Sequence, residues 1–318
     1  MEHAFFVVQD YQVAAVVIFA PSAVIKIAFI GTIANVIVAT TSQRILSMRN
    51  SFGLLMTSQS TAEIAFCAIF AFYFSPMVFF SNEVLKGISH RFGMVLLMCY
   101  DICIFSHLFI ALNRMCAICL PWKYDRYFSR NRTKILIVIC WFVSITRCLI
   151  SYGYNDCDLV YEGSIWAYLF TVTEQCKFIS KYLDFYKDVI LTTLIAIIDL
   201  ITVIKVRTTR KQLRQPGGES SRRKKEINFL KQAILQGLVF AIELFTYFYL
   251  SLHVQNRWLI FACTTVAWNL VHCTDALIVI VFNSEFRKLL ASPRNIFKSV
   301  IYGQTTASTA MDHSVSKH

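Results

Sequence analysis

Hydrophobic and polar positions alternate along this chain on a long scale. Seven runs of mostly apolar residues occupy roughly 16–40, 52–78, 92–119, 133–152, 186–206, 228–252 and 258–282. Between them lie shorter stretches rich in Lys, Arg, Asp, Ser and Gly. A hydrocarbon core of ~30 Å takes about 20 helical residues to cross, so each run is long enough to span it. In lipid every backbone N–H and C=O must find its partner within the structure, which leaves helices or closed barrels. The runs lack the period-two alternation of barrel strands. The pattern therefore predicts an all-α integral membrane protein, a seven-transmembrane-helix bundle over 16–282. Residues 1–15 form an N-terminal segment, 283–291 a short amphipathic eighth helix along the membrane surface, and 292–318 a polar, disordered tail.

Composition agrees with this picture. Only 16% of the 318 residues are charged, against about 25% in an average soluble domain. The net charge of +12 raises the question of nucleic acid, and its placement answers it. Twenty of the Lys and Arg residues fall in one set of loops and the tail, six in the other set. Basic residues concentrate on the cytoplasmic side of membrane proteins, which predicts an outside N-terminus and a cytoplasmic C-terminus. The basic loops are short and lack a platform for base stacking, so the expected partners are membrane lipid and protein. Met1–Asp10 has no basic n-region of a cleavable signal peptide, and the first span is expected to serve as an uncleaved signal.

Polar residues inside the spans are costly and mark candidate chemistry. Asn35, Glu63 and Asp275 sit at depths that allow one polar cluster in the inner half of the bundle. Such a cluster either holds a proton or Na⁺ or is structural. The third span carries a stripe at helical spacing, Leu96, Tyr100, Cys103, His107, Ile110 and Arg114, with Asp101 beside it. His107 reads as a hydrogen-bonded packing residue. Glu243 lies in mid-membrane on the sixth span. Arg147 and Asp199 are a conceivable pair, but rise per residue puts one too far out and the other too far in. Nine of the eleven cysteines fall in the predicted helices. Cys157 and Cys176, in the longest outside loop, are left as the pair in an oxidising compartment, and a bridge between them is expected. Cys116 and Cys119 have the spacing of a zinc half-site but no second pair beside them, and read as helix packing. No metal and no cofactor is expected. The chain also lacks H-E-x-x-H, G-x-S-x-G and paired-aspartate motifs, so an enzyme is not.

The third span ends in Leu112-Asn113-Arg114-Met115-Cys116-Ala117-Ile118-Cys119-Leu120-Pro121-Trp122-Lys123-Tyr124. This order resembles the D-R-Y…P signature of rhodopsin-like receptors, with Asn113 in place of the acid. Gly31 with Asn35, Ala62-Glu63-Ile64, Trp141, and Asp275-Ala276-Leu277-Ile278-Val279 leading to Phe286-Arg287 resemble the corresponding motifs of the other helices. Ala276 and Val279 replace the usual proline and tyrosine of the seventh helix, and the tryptophan–proline pair of the sixth is missing. Where amine receptors carry an ammonium-binding aspartate this chain has Leu96, which disfavours a monoamine. The cysteine that in many such receptors joins the third helix to the second outside loop is replaced near Ser89.

Over about residues 20–290 the chain is similar to the nematode serpentine receptor class X chemoreceptors. Leu112–Tyr124, Asp184-Phe185-Tyr186-Lys187-Asp188, Arg223–Gln232 and Trp268–Arg287 carry the likeness. It implies a G-protein-coupled chemosensory receptor in the plasma membrane of a sensory cilium, with a heterotrimeric G protein and a small-molecule ligand as partners. The candidate coupling residues are Asn113, Arg114, Pro121, Lys123, Tyr124, Arg222, Arg223 and Lys224. The candidate ligand contacts are Tyr100, Asp101, Glu243, Tyr247 and Trp268. A rival expectation is a ligand-gated channel or transporter whose polar path is lined by Glu63, Asp199, Glu243 and Asp275.

Overall fold

The computed structural model describes residues 2–45, 48–212 and 220–291. Seven of its helices are long and apolar enough to cross a membrane. They are α1 (Glu2–Thr41), α2 (Ser51–Phe80), α3 (Ser89–Cys119), α4 (Arg130–Gly153), α5 (Glu174–Thr208), α6 (Leu230–His253) and α7 (Arg257–Phe282). An eighth, α8 (Ser284–Leu290), follows after Asn283, whose side chain accepts from the Glu285 N–H. Phe286 on α8 is fully buried while Arg287 and Lys288 are exposed, which gives the helix its apolar and its basic face.

The bundle hides polar groups and shows apolar ones. Asn35, Gln59, Glu63, Asp101 and Asp275 are buried, while Ile30, Phe72, Val138, Phe142 and Leu200 stand on outer faces more than half exposed. In water that arrangement is unfavourable; against lipid tails it costs nothing and keeps polar groups on partners. Two large apolar clusters fill most of the interior, with a small third around Ala111, Ile195 and Ile198. One, around Phe66, Phe70, Phe74, Tyr100 and Trp268, lies at the end of the bundle capped by the 154–173 loop. The other, around Met48, Phe52, Ile110, Val279 and Phe286, lies at the opposite end. Gly31 lets α1, α2 and α7 meet, since an added Cβ would come within 2.8 Å of Cys67 Sγ and 3.1 Å of Cys273 Cβ.

Five helices contain a π-helical stretch in the half nearest the 154–173 loop: Phe70–Phe74, Leu149–Gly153, Ile179–Phe185, Thr246–Leu250 and Ala262–Val266. In α2 the reason is visible in the sequence. Pro76 removes an N–H and crowds the preceding turn, and Ser75 bridges the widened turn, its N–H and hydroxyl both donating to the Phe70 carbonyl. The helix passes through this distortion and ends only at Phe80.

Two helices begin well before the hydropathy reading places them: α1 at Glu2 rather than near 16, so that the expected N-terminal segment is helical, and α5 at Glu174 rather than near 186. Thr173 caps α5, accepting from the Cys176 N–H at 3.1 Å. The early turns carry Lys177, Lys181, Asp184, Lys187 and Asp188, which depress the local hydropathy. Ion pairs inside the fold make the deeper of these charges tolerable, as described below.

The remaining loop folds into a hairpin. Strand β1 (Leu159–Glu162) pairs antiparallel with β2 (Ala167–Phe170), with Leu159 opposite Phe170 and Glu162 opposite Ala167. The expected Cys157–Cys176 bridge ties the hairpin to the start of α5. Trp166, at the turn, has φ 52°, a left-handed conformation that costs a bulky residue on the order of 1–3 kcal/mol. Its surroundings hold it there. The ring packs on Trp258 at 5.1 Å, the Arg257 guanidinium sits 5.1 Å from its centroid, and its carbonyl accepts from Thr265 Oγ1 at 2.8 Å. At the head of α3, Ser89 Oγ accepts from the Tyr161 N–H at 3.3 Å. Gly93 leaves room for the Leu159 carbonyl, into which a Cβ would collide. The hairpin thus rests on α3 by a hydrogen bond and close packing where many rhodopsin-like receptors use a covalent bridge.

The bridge that is present closes a loop across 19 residues, for which chain entropy gives about 3 kcal/mol. Cys157→Ser and Cys176→Ser are each expected to lower the unfolding midpoint and the surface delivery of the protein. The double variant should be no worse than either single one; an additive loss would mean that the sulfurs act separately.

Candidate functional site

Three groups of residues connect the hairpin end of the bundle to the opposite end. The first surrounds a small cavity, about 20 Å³, beneath the hairpin. Its walls include Tyr100 of α3, Asp184 of α5, Glu243 and Tyr247 of α6, Trp268 of α7 and Phe170 of β2. Tyr100 Oη donates to Glu243 Oε2 at 3.3 Å, and Tyr247 Oη to the Tyr168 carbonyl at 3.3 Å. Tyr247 therefore links α6 directly to the lid. Four of the five expected ligand contacts, Tyr100, Glu243, Tyr247 and Trp268, converge here.

Asp101 does not line this cavity. It lies beside it, fully buried, with Arg147 of α4 and Lys187 of α5 both paired to its carboxylate. Lys187 Nζ is also 3.0 Å from Asp188 and 3.8 Å from Asp184, and Tyr152 Oη donates to Asp184 at 3.0 Å. The Arg147 guanidinium also donates to the Leu183 carbonyl at 2.9 Å. This cluster joins α3, α4 and α5. Arg147 pairs with Asp101, in keeping with the depth argument against Asp199. One reading of the sequence is corrected: Lys187, counted among the outside loop charges, is a helical residue with its side chain largely covered. The motif Asp184-Phe185-Tyr186-Lys187-Asp188 was the available signal; its three charges could be placed only once α5 was known to start at Glu174.

The second group lies deeper. Gln59 Nε2 donates to Glu63 Oε1 at 2.9 Å and to Asp275 Oδ2 at 2.9 Å. His107 Nε2 is 2.8 Å from the same Asp275 oxygen. All these contacts are satisfied when His107 carries a proton on Nε2 and donates it to Asp275. Glu63 and Asp275 thus meet as expected, held together by Gln59 and His107. Asn35 joins through the backbone, donating to the His272 carbonyl at 3.0 Å. Trp141 Nε1 donates to Ser58 Oγ at 2.8 Å and ties α4 to this stretch of α2. Ligand atoms of Glu63, His107 and Asp275 lie within 4.8 Å of one another, as do those of Glu63, Cys103 and His272. The Gln59 amide donates to both carboxylates of the first set, so this chain's own hydrogens already serve them. Gln59→Leu is expected to cost about 2–5 kcal/mol, because two buried carboxylates each lose a charge-assisted hydrogen bond. Thermal unfolding of the solubilised protein measures this; an unchanged midpoint would show that the amide is dispensable.

Between the two groups Tyr100 packs on Phe240 at 5.4 Å. Below this contact a further small cavity, about 20 Å³, is lined by His107, Asp199, Gln236 and Phe240 among others.

The third group is at the far end. Arg114 is buried, its guanidinium 4.8 Å from the centroid of Phe52. Asp199 of α5 is close enough to interact with it electrostatically. Asn113 Nδ2 donates to Tyr124 Oη at 3.2 Å. Burial pushes the Tyr124 phenol above its ordinary range, and the bond from Asn113 opposes that push. Pro121 opens a short helical turn, Pro121–Lys123, that leads into Tyr124. Trp122, Lys123 and Arg126 are exposed on it. The side chains of Arg222, Arg223 and Lys224 lie outside the described residues, as does the whole of 292–318.

A family model described as serpentine type 7TM GPCR chemoreceptor Srx matches residues 25–283. The chain is similar to serpentine receptor class X 45 of Caenorhabditis elegans, 34% identical over 308 residues that cover 89% of this chain and 81% of that protein. It is also similar to serpentine receptor class X-43 of the same organism, 26% identical over 80% of each. Among solved structures, the crystal structure of squid rhodopsin superposes with a TM-score of 0.69 over 90% of this chain and 87% of that one. At 14% identity that match shows a shared fold.

Proposed function

The chain belongs to the Srx family of serpentine seven-helix chemoreceptors, and from that premise we propose that it binds a small ligand beneath the hairpin and signals through a heterotrimeric G protein. The observation that carries this reading is the separation of two specialised ends on one helix. Tyr100 lines the cavity under the hairpin, and Arg114 lies 14 residues further along α3, about 21 Å away at 1.5 Å per residue. Charge asymmetry supports an outside hairpin and a cytoplasmic Arg114 end, in the plasma membrane of a sensory cilium. In the arrangement described here Arg114 is covered. A ligand that binds better when it is uncovered shifts the population toward that state. Outward movement of α6 would open a basic cleft formed by Arg114, Lys123, Tyr124 and the start of α6. That helix lacks a proline, and its irregularity is the π stretch Thr246–Leu250, just beyond Glu243.

The test is a calcium or nucleotide-exchange response in cells displaying the receptor, screened with odorant and metabolite compounds, with and without G-protein blockade. A response lost under blockade supports the proposal. A ligand-evoked current that survives it would favour the channel.

A further inference from the structure

We propose that the cavity beneath the hairpin takes a small organic cation, an ammonium group carried on an apolar body. The inference rests on that cavity being the ligand site.

The first argument is charge. In this part of the bundle the buried acids are Asp101, Asp184, Asp188 and Glu243, and the bases beside them are the partly covered Arg147 and Lys187. Both bases are held by Asp101, and Lys187 reaches Asp188 as well. Glu243 is left with a neutral partner. One of its oxygens accepts from the Tyr100 phenol at 3.3 Å. The other has no hydrogen-bond partner among the described residues, on a side chain only 3% exposed that lines the cavity. No Lys, Arg or His lines that cavity. A carboxylate ligand would add like charge to Glu243 and Asp184. A neutral ligand would cover Glu243 without supplying a counter-charge. A cation supplies what the site lacks.

The second argument is the rest of the lining. Tyr100, Tyr247, Trp268 and Phe170 border the same space. Aromatic faces attract a desolvated cation, and cages of this kind bind ammonium groups up to quaternary ones. The free space is about 20 Å³, room for little more than a water molecule, so the aromatic walls have to part as the ligand enters and the ligand has to be small.

The third argument is placement. Leu96 on α3 denies an ammonium the carboxylate it meets in amine receptors, and Glu243 offers one from α6. A cation drawn to Glu243 bears on α6 directly, and Tyr247, one turn further along that helix, bonds the hairpin lid.

The experiment uses full-length receptor in detergent and a matched series: phenethylamine, its trimethylammonium analogue, 2-phenylethanol and 3-phenylpropanoate, with tetramethylammonium as the smallest member. Thermal unfolding reports binding without any G protein. At least one ammonium compound is expected to raise the midpoint dose-dependently, at least about tenfold more tightly than the alcohol or the carboxylate. Glu243→Gln should abolish that preference. Glu243→Asp, which keeps the charge, should retain most of it and controls for folding. The proposal is overturned if the alcohol or carboxylate binds as well as its ammonium counterpart. It is equally overturned if Glu243→Gln keeps the preference, or if no ammonium compound stabilises folded receptor. G-protein activation measured in parallel separates the two ideas. Cation binding without activation under any condition would remove the signalling role and leave the site. Activation by neutral or acidic compounds alone would remove the cation and leave the receptor.

Discussion

Arg114→Ala is expected to reduce ligand-evoked nucleotide exchange to the level of membranes without receptor, while surface expression and ligand binding stay close to those of the unmodified protein. The side chain is buried at the far end of α3, over Phe52 and within reach of the charge on Asp199. Asp199 borders a cavity with room for a water molecule, which can serve its carboxylate once the guanidinium is gone, so the bundle is expected to stay folded. On the proposal above, what is lost is a buried cation that becomes available when the helices part. Binding should survive because the proposed ligand cavity lies about 21 Å along the helix. Signalling retained by a well-expressed variant would count against a role for Arg114 in coupling. Loss of both binding and expression would point to a structural role instead.

The second large effect is expected at Asp101. Its carboxylate is the shared partner of Arg147 and Lys187, and all three side chains are largely buried. Breaking a buried pair by removing one member costs about 3–5 kcal/mol, because the remaining charge stays desolvated without compensation. Asp101→Ala leaves two such cations. Asp188 and Asp184 recover Lys187 in part, since they already lie 3.0 and 3.8 Å from it. Arg147 retains only the Leu183 carbonyl, the neutral Cys148 sulfur and the face of Tyr152. The expected result is severe loss of folded receptor at the cell surface and a much lower unfolding midpoint. Replacing all three together, Asp101→Leu with Arg147→Met and Lys187→Met, should recover a large part of the loss, since apolar groups of similar size avoid the desolvation altogether. Normal expression of Asp101→Ala, or a triple variant as poor as the single one, would show that the cluster does not hold α3, α4 and α5 together.

Both effects concern residues whose importance the chain signals unequally. Arg114 is legible because its neighbours along the chain carry the motif. Asp101 was visible as a buried acid and was assigned to the ligand, since its partners come from positions 46 and 86 residues further on. The cluster of Glu63 and Asp275 was anticipated from depth alone. Gln59, which bonds both, stands one turn before Glu63 on α2 and gave no sign of its role, because an amide on a helix face looks the same whether it meets a carboxylate or another helix.

The amino-acid sequence by itself determined the number of spans, the helical class, the sided distribution of charge, the family and the Cys157–Cys176 pair. Each depends on something local or countable: the length of an apolar run against the thickness of a bilayer, the sign of loop charges, a contiguous motif, or the elimination of cysteines inside helices. Tertiary structure decided the rest. Arg147 and Lys187 meet on Asp101, and Glu243 opens on an aromatic cavity because of how far each helix is rotated and how deep it sits. A π stretch shifts that rotation for every residue beyond it, and five of the seven helices contain one. Rotation and depth are set jointly by all the helices packed together, so no single stretch of the chain encodes them.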